Sequence, residues 1–166
     1  MGGGLCLNNE MKKIPLHGAN GAGKHVLVDA SDFESLNKYK WSLLSTGYAC
    51  RNESKRGFLL MHREIAGTPK GKATDHINLN KLDNRRSNLR VCTFSDNQHN
   101  RGLQKNNTSG YKGVSWNPKR KKWGVKIMNK RQVIRGGHYE SIIEAAEKYN
   151  ELSNNLFGQF SRENTI

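Results

Sequence analysis

The sequence predicts an α+β protein made of three successive parts. These parts are a β-rich N-terminal platform, a small strand–loop–strand–helix unit, and a three-stranded antiparallel sheet packed on one helix. Two observations support this prediction. Residues 74–100 place two short apolar runs on either side of a loop rich in Asn and Arg. Further along, Trp123, Val125 and Ile127 alternate with small or basic residues ahead of a helix-like apolar stripe. The predicted segment boundaries are 1–57, 58–104 and 105–166.

Composition favours small modules and a polyanionic partner. The hydrophobic fraction of 34% is low for one large core in a chain of 166 residues, and the mean hydropathy is -0.83. The formal net charge is +14, and such a charge favours nucleic acids because binding releases the counterions of the phosphates. Charge alone does not choose between DNA and RNA, so a ribosomal-type RNA binder stays an alternative.

The cysteines and the N-terminus indicate a protein of a reducing, cytoplasmic environment. Cys6, Cys50 and Cys92 are widely spaced and form no Cys-x-x-Cys pair, so neither a disulfide framework nor a zinc ribbon is predicted. The first residues lack the apolar run of a signal peptide, and no window has the length of a membrane span. We therefore expect no membrane partner.

A glycine-rich segment imitates a phosphate-binding loop. Residues 18–25 end in Gly-Lys, but His25 stands where a magnesium-binding hydroxyl is needed, and the flanking runs have the pattern of strands. A glycine-rich turn between two strands is the expected structure, and no small-molecule substrate is expected.

The remainder of the platform is predicted to hold a short helix and several strands. Ser31 to Glu34 has the capping-box pattern, which predicts a helix with Phe33 and Leu36 turned inward. His62 follows an apolar run. We favour a hydrogen-bonded structural histidine at a strand end over a second histidine of an active site.

The central segment offers a site for a hard cation and a base. Asp75-His76 precedes the polar loop, and Ser95 to Gln98 has the pattern of a second capping box. Asp75 and Asn97 provide oxygen ligands of the kind that Mg²⁺ or Mn²⁺ prefers, and His76 can serve as a general base. Adjacent residues on a strand point to opposite faces, so Asp75 and His76 need a bend or a strand end to serve one site.

This segment resembles the HNH endonuclease motif in the form found in phage-type homing endonucleases. The resemblance rests on Asp75-His76, Leu82-Asp83-Asn84, Asn88-Leu89-Arg90 and Asn97. It implies a ββα-metal fold and hydrolysis of a DNA phosphodiester with one divalent ion per site. It also implies that Asn88 binds backbone across the loop and holds His76 in place. Arg85, Arg86 and Arg90 become candidates for phosphate contacts, with Arg90 nearest the cleft. His99 and Asn100 compete with Asn97, which the spacing of the motif favours.

The C-terminal third is basic and has regular patterning. Residues 101–137 contain many Lys and Arg and no Asp or Glu. Residues 111–116 and 132–139 are strand-like runs on either side of the alternating segment. Ser141 then begins a helix whose apolar stripe contains Ile142, Ala145, Ala146, Tyr149 and Leu152.

This part resembles the APETALA-two/ethylene-response-factor DNA-binding domain, in which the sheet enters the DNA major groove. The resemblance rests on Ser109 to Val114, Lys122-Trp123, Gly137-His138-Tyr139 and Glu144-Ala145-Ala146 with Tyr149. It implies that Lys112, Ser115 and Lys126 face DNA and that Lys119, Arg120 and Lys122 contact phosphates. Trp116 has two alternative roles, contact with DNA or packing in the core. Ser115 and Met128 replace Arg residues common in plant members, so base readout is expected to be weaker or differently aimed.

Together these features predict a small site-recognising HNH endonuclease whose partner is double-stranded DNA. A monomer with one such site cuts one strand per encounter, so nicking is expected. The alternative is a DNA-binding regulator whose nuclease hairpin is degenerate and inactive.

Overall fold

The computed structural model describes residues 10–54 and 57–166. The chain divides into two compact units, Met1–Cys92 and Thr93–Ile166. Cys6 lies outside the described residues. No helix in the described part of the chain is long and apolar enough to cross a membrane. The predicted segment boundaries at 57/58 and 104/105 stay predictions.

The first unit contains a five-stranded sheet with the order β2-β1-β3-β4-β5. β1 pairs with β3 in parallel and with β2 in antiparallel orientation, and β3, β4 and β5 form an antiparallel run. The glycine-rich segment is the turn of the β1–β2 hairpin, which confirms the expectation for residues 18–25. The strands are β1 (Met11–His17), β2 (His25–Asp29), β3 (Trp41–Leu43), β4 (Ala49–Glu53) and β5 (Gly57–Leu60).

Helix α1 (Ala30–Leu36) begins earlier than the capping-box pattern predicts. Asp29 is its N-cap residue, and no side chain caps the helix. The capping prediction for Ser31 was wrong because the nearby carboxylates have other partners. Asp29 accepts from the backbone N–H of Arg86, and Asp32 binds the Arg86 guanidinium. Leu36 faces inward as predicted and is buried, and Phe33 is partly buried against the same core.

A two-stranded antiparallel hairpin follows the sheet. After α2 (Met61–Ile65), β6 (Ala73–His76) pairs with β7 (Leu89–Cys92), from Ala73 opposite Cys92 to His76 opposite Leu89. The loop between them, residues 77–88, ends in a 3-10 turn at Arg86–Asn88. This loop is attached to the large sheet through a parallel bridge between Leu27 and Asp83. The strand–loop–strand prediction is therefore confirmed.

The second unit begins with the short helix α3 (Phe94–His99). Its N-cap is Thr93, whose hydroxyl accepts from the backbone N–H of Asp96 at 3.1 Å. Asp96 in turn accepts from the backbone N–H of Thr93. The capping box predicted at Ser95 is thus wrong, because Thr93 and Asp96 supply the same reciprocal pair of hydrogen bonds two residues earlier.

A three-stranded antiparallel sheet and a long helix form the rest of this unit, as predicted. The strands are β8 (Val114–Asn117), β9 (Lys122–Asn129) and β10 (Gln132–Tyr139), in the order β10-β9-β8. Ser141 caps α4 (Ile142–Phe157) by accepting from two backbone N–H groups of its first turn. The core between sheet and helix contains Val114, Val125, Ile127, Ala145, Ala146 and Tyr149. A short 3-10 turn, Gly158–Phe160, follows the helix.

Gly113 allows the helix to approach the sheet closely. Its φ of +73° is in the left-handed region, and a Cβ there would overlap the Tyr149 ring and lie 2.7 Å from the Lys126 carbonyl oxygen. Any side chain at this position would therefore displace Tyr149 from the core of the unit.

Candidate active site

The centre of the candidate site is a carboxylate paired with an arginine across the hairpin. Asp75 on β6 lies opposite Arg90 on β7. The Arg90 guanidinium donates to Asp75 Oδ2 through Nε at 2.8 Å and through Nη2 at 2.6 Å. The Asp75 side chain is 4% exposed and that of Arg90 is 15% exposed. Because a lone buried charge is costly, removal of Arg90 would leave the Asp75 carboxylate buried without this partner and would destabilise the hairpin.

His76 is the last residue of β6 and is buried beside Asp75. Adjacent residues within a strand point to opposite faces, so Asp75 and His76 need a strand end to serve one site. His76 lies at such an end. His76 Nε2 lies 2.7 Å from Asn84 Oδ1. Burial lowers the pKa of His76 below its usual value, against the opposing effects of the Asn84 hydrogen bond and of Asp75. The imidazole is therefore neutral near pH 7, which is the form that a general base needs.

Two further rings enclose His76. The His62 ring centroid lies 5.0 Å from that of His76, and the Tyr48 ring lies 4.8 Å from His62. His62 belongs to α2 and is buried, and burial together with the neighbouring His76 lowers its pKa to about 3. Its Nδ1 has no hydrogen-bond partner among the described residues. The prediction of a hydrogen-bonded strand-end residue was thus wrong, because His62 packs against the candidate base.

Asn88 closes the loop that carries these groups. Its Oδ1 accepts from the backbone N–H of Asn78 at 2.9 Å, and its Nδ2 donates to the backbone carbonyl of Asp83 at 2.7 Å. The backbone N–H of Ile77 also donates to the Asn88 carbonyl. One buried amide therefore ties both ends of the loop to its middle.

Arg85 and Arg86, predicted to contact phosphates, each bind a carboxylate within the first unit. Arg85 donates to both oxygens of Asp83, at 2.7 Å each, and lowers the pKa of that carboxyl group. Arg86 donates to both oxygens of Asp32 on α1, at 2.9 and 2.6 Å. Their side chains are 37% and 58% exposed, so each keeps a solvent-facing portion.

The oxygen donors of the hairpin suit a hard divalent cation. Among the described residues, no group of three or more His, Cys, Asp and Glu side chains could hold a metal ion. A cation at Asp75 would complete its shell with amide oxygens, water and the anionic oxygens of substrate phosphate, which is the usual environment of Mg²⁺. The Asp75 carboxylate is an oxygen donor of the class that such an ion prefers.

The three candidates for the remaining protein ligand all lie in the second unit. Asn97 and His99 belong to α3, and Asn100 follows it. The His99 ring stacks on Phe157, with centroids 3.6 Å apart, and burial lowers its pKa. His99 is therefore engaged in packing within its own unit, whereas the choice of Asn97 as the ligand stays a prediction.

The sheet of the second unit presents a basic open face. Ser115 pairs with Gly124, and Arg135 pairs with Lys126, on the face opposite the buried Val125 and Ile127. Cross-strand pairs of like charge destabilise a sheet, so the Lys126–Arg135 pair favours an anion there. Among the other predicted DNA contacts, Lys119 and Arg120 are exposed at the β8–β9 turn, and Lys122 forms an ion pair with Glu140.

Lys112 and Trp116 have neighbours that bear on their predicted roles. The Lys112 ammonium group donates to the carbonyl oxygens of His99 and Arg101, at 2.5 and 2.8 Å, and burial lowers its pKa to about 8. A contact of Lys112 with DNA would require the release of these bonds, and it stays a prediction. Trp116 is 48% exposed. Its ring meets Trp123 edge-on, with centroids 5.1 Å apart, and Trp123 is the one of the two that packs on the core.

The sequence predicted Asp75, His76 and Asn88, but Asn84 and Tyr48 were missed as site residues. Asn84 was noticed only as a member of the motif. Its contact with His76 depends on the path of the loop, which no local pattern reveals. Tyr48 gives no sequence signal either, because a single aromatic in an apolar run does not indicate a site.

Comparison with known proteins gives three similarities. A family model described as HNH endonuclease matches residues 63–99. An uncharacterized HNH endonuclease of Acanthamoeba polyphaga mimivirus, L560, is 30% identical over 158 residues, which cover 88% of this chain and 78% of that protein. Protein 3.8 of Escherichia phage T7 is 34% identical over 96 residues, covering 57% of this chain and 77% of that protein. No solved structure matches.

The buried histidines predict that the first unit loses stability in acid. The pKa of His62 in the folded state, about 3, lies below the unfolded value near 6.5. The unfolded chain therefore binds protons that the folded unit does not, and the free energy of unfolding falls as the pH drops from about 6.5. The slope due to His62 approaches about 1.4 kcal/mol per pH unit. This slope is measured by urea unfolding at several pH values between 7 and 4.5, with unfolding of the first unit monitored by hydrogen exchange of the Val26 and Val28 amides.

The variant His62→Asn removes one of these groups. We expect a shallower dependence of the unfolding free energy on pH than in the parent protein, whatever the change in stability at pH 7. An unchanged slope in His62→Asn would contradict the assignment of His62 as a neutral buried residue.

Proposed function

Because this chain belongs to the HNH endonuclease family, we propose that it is a metal-dependent endonuclease that hydrolyses phosphodiester bonds of double-stranded DNA. The observation that carries this proposal is the neutral, buried His76 fixed beside Asp75 at the end of β6. An imidazole in that form can remove a proton from water, and a neighbouring carboxylate can hold a cation.

In the proposed reaction, His76 takes a proton from the attacking water. The electron pair of the water oxygen forms the new bond to phosphorus, and the bond from phosphorus to the 3′ oxygen breaks. When bound, a divalent cation neutralises negative charge on the phosphate and on the departing 3′ oxygen. Asp75 and Asn97 are the proposed ligands, with Mg²⁺ or Mn²⁺ favoured by their oxygen donors.

Three arginines have proposed supporting roles. Arg90, paired with Asp75 at 2.6 Å, is the arginine nearest the candidate ligand and is proposed to reach the scissile phosphate. Arg85 and Arg86 keep exposed portions beside their carboxylate partners and are proposed to contact flanking phosphates. Asn88 acts through the loop, because its two backbone bonds hold residues 78 and 83 in place.

The open face of the C-terminal sheet is the proposed DNA reader, of the APETALA-two-like type. Support comes from the exposed Ser115 and Lys126, from the adjacent Arg135, and from the lack of acidic residues in 101–137. Lys119, Arg120 and Lys122 extend this basic face toward the β8–β9 turn, where phosphate contacts are proposed. Trp116 is proposed to touch DNA with its exposed side. Lys112 is proposed to touch DNA only after its hydrogen bonds to the carbonyl oxygens of His99 and Arg101 break.

We further propose a homing-type enzyme that acts as a monomer. One hairpin per chain supplies one set of catalytic groups, so the expected product is a nick. The relatives come from a virus and a phage, which supports action inside an infected cell as part of the same proposal.

His76→Ala tests the base. Loss of general-base catalysis typically lowers a rate by roughly 10²- to 10⁴-fold, so we expect conversion of supercoiled to open-circular plasmid to fall by that order. DNA affinity, measured by fluorescence anisotropy, should stay unchanged. The control is His17→Ala, which alters an exposed histidine of β1 and should cleave normally. Normal cleavage by His76→Ala would remove His76 from the mechanism.

Removal of divalent ions tests the cation. With EDTA present we expect no nicking of a supercoiled plasmid, and full nicking after Mg²⁺ or Mn²⁺ is added in excess. DNA binding by the basic sheet should persist in EDTA because it needs no metal. Cleavage that continues in EDTA contradicts the metal-dependent mechanism. Binding without cleavage at any Mg²⁺ concentration would instead indicate a regulator with an inactive hairpin.

Lys126→Ala tests the reader. Loss of one cation from the surface that faces DNA lowers the slope of log affinity against log salt concentration by up to about one. We expect weaker DNA binding with a smaller salt slope and an unchanged nicking rate at saturating DNA. The matched control is Lys148→Ala, which removes a charge from α4 on the other side of the sheet. Equal affinities of the two variants would contradict a role of the open face in binding.

A further inference from the structure

The geometry points to Asn84 as the positioning residue that fixes the tautomer and orientation of the His76 imidazole. This inference rests on the proposed function, because it deepens the role given to His76. Asn84 would hold the Nε2 side of the ring, so that Nδ1 presents the lone pair to the attacking water.

Asn84 is held rigidly by the main sheet. It is 0% exposed. Its backbone N–H donates to the Leu27 carbonyl of β2 at 2.8 Å, and the Leu27 N–H donates to the Leu82 carbonyl at 2.8 Å. These bonds flank the parallel bridge between Leu27 and Asp83. The backbone of Asn84 is therefore fixed by β2, an edge strand of the large sheet, and does not depend on the loop alone.

The hydrogen bond to His76 then determines which nitrogen carries the proton. A carbonyl oxygen accepts and cannot donate, so Asn84 Oδ1 at 2.7 Å from His76 Nε2 requires a hydrogen on Nε2. A neutral imidazole has one N–H, and the lone pair of His76 consequently lies on Nδ1. A ring fixed in this way directs the unprotonated Nδ1, which can accept a proton, toward the attacking water.

The same bond serves the step in which His76 takes up the proton. The imidazolium ion that forms has hydrogens on both nitrogens, and its Nε2–H becomes a charge-assisted donor to Asn84 Oδ1. The amide does not reorient during the step because β2 holds its backbone. Asn84 itself exchanges no proton and touches no reacting atom, which distinguishes it from a catalytic residue.

Burial explains why an amide is present at this position. Asn84 Nδ2 is buried and has no hydrogen-bond partner among the described residues. An unsatisfied buried N–H group costs stability, so an apolar residue would be favoured there if packing alone mattered. The carbonyl bond to His76 is the contact that the amide provides and that an apolar side chain would lose.

The first test is a measurement on the full-length parent protein without DNA or metal. Long-range ¹H–¹⁵N correlation spectra of the histidine rings at neutral pH report which nitrogen is protonated. We expect Nε2 of His76 to have the shift of a protonated nitrogen and Nδ1 that of an unprotonated one. The opposite pattern would overturn the inference, and this outcome does not depend on whether the protein cleaves DNA.

The second test uses two variants at position 84. Asn84→Leu removes the acceptor, and Asn84→Asp keeps an oxygen facing Nε2. Loss of a residue that orients a catalytic group typically lowers activity by roughly 10- to 100-fold. We expect kcat for nicking to fall by about that factor in Asn84→Leu, with KM changed by less than about threefold, and to recover in large part in Asn84→Asp.

Leu36→Ala is the control for lost stability. Leu36 is a buried core residue of α1 and is not one of the proposed site residues, so its truncation destabilises the same unit. Below the unfolding midpoint its kcat should equal that of the parent. Equal loss of kcat in Leu36→Ala and Asn84→Leu, or normal kcat in Asn84→Leu, would overturn the inference. If Asn84→Leu does not fold, the spectra of the parent protein decide. Normal cleavage by His76→Ala would instead contradict the proposed function alone.

Discussion

The hairpin depends on finding hydrogen-bond partners for the backbone groups of its loop, which forms no β-sheet hydrogen bonds within itself. Residues 77–88 place backbone groups next to a buried histidine, where unpaired donors and acceptors are costly. In this loop, side chains provide hydrogen bonds that a neighbouring strand would provide in a sheet. Asn88 binds the backbone of residues 78 and 83, Asn80 accepts from the backbone N–H of Leu82, and Asn78 donates to the Asp83 carboxylate. The Asn-rich composition of this segment is thus a structural requirement of the fold around His76.

Charge is distributed differently in the two units. In the first, the carboxylates near the hairpin are each matched with an arginine, as Asp75 with Arg90, Asp83 with Arg85 and Asp32 with Arg86. In the second, the sheet places Lys126 beside Arg135 without an acid in 101–137. The second unit therefore presents a basic face suited to long-range attraction of a polyanion, whereas three arginines of the hairpin are each paired with a carboxylate.

Local patterns predicted the elements, and tertiary contacts decided the details. The sheet and helix of the second unit followed from strict alternation in β9 and from Ser141 ahead of an apolar stripe. The hairpin followed from two apolar runs around a polar loop. Both predicted capping boxes in the first hundred residues failed, because hydroxyl and carboxylate groups are common there and Asp32 was already bound by the distant Arg86. The contact of Asn84 with His76 was missed for a related reason. Asn84 meets His76 through the path of a loop, which sequence spacing does not encode.

The bonds from Arg86 to α1 and from Asn84 to β2 have a consequence for the independence of the hairpin. A fragment that started after the large sheet would lose the Leu27 carbonyl that anchors Asn84 and the Asp29 and Asp32 carboxylates that anchor Arg86. The short cleavage motif is accordingly not an autonomous cassette. Transplanting it onto another protein would require the β1–β2 hairpin and α1 to travel with it as its scaffold.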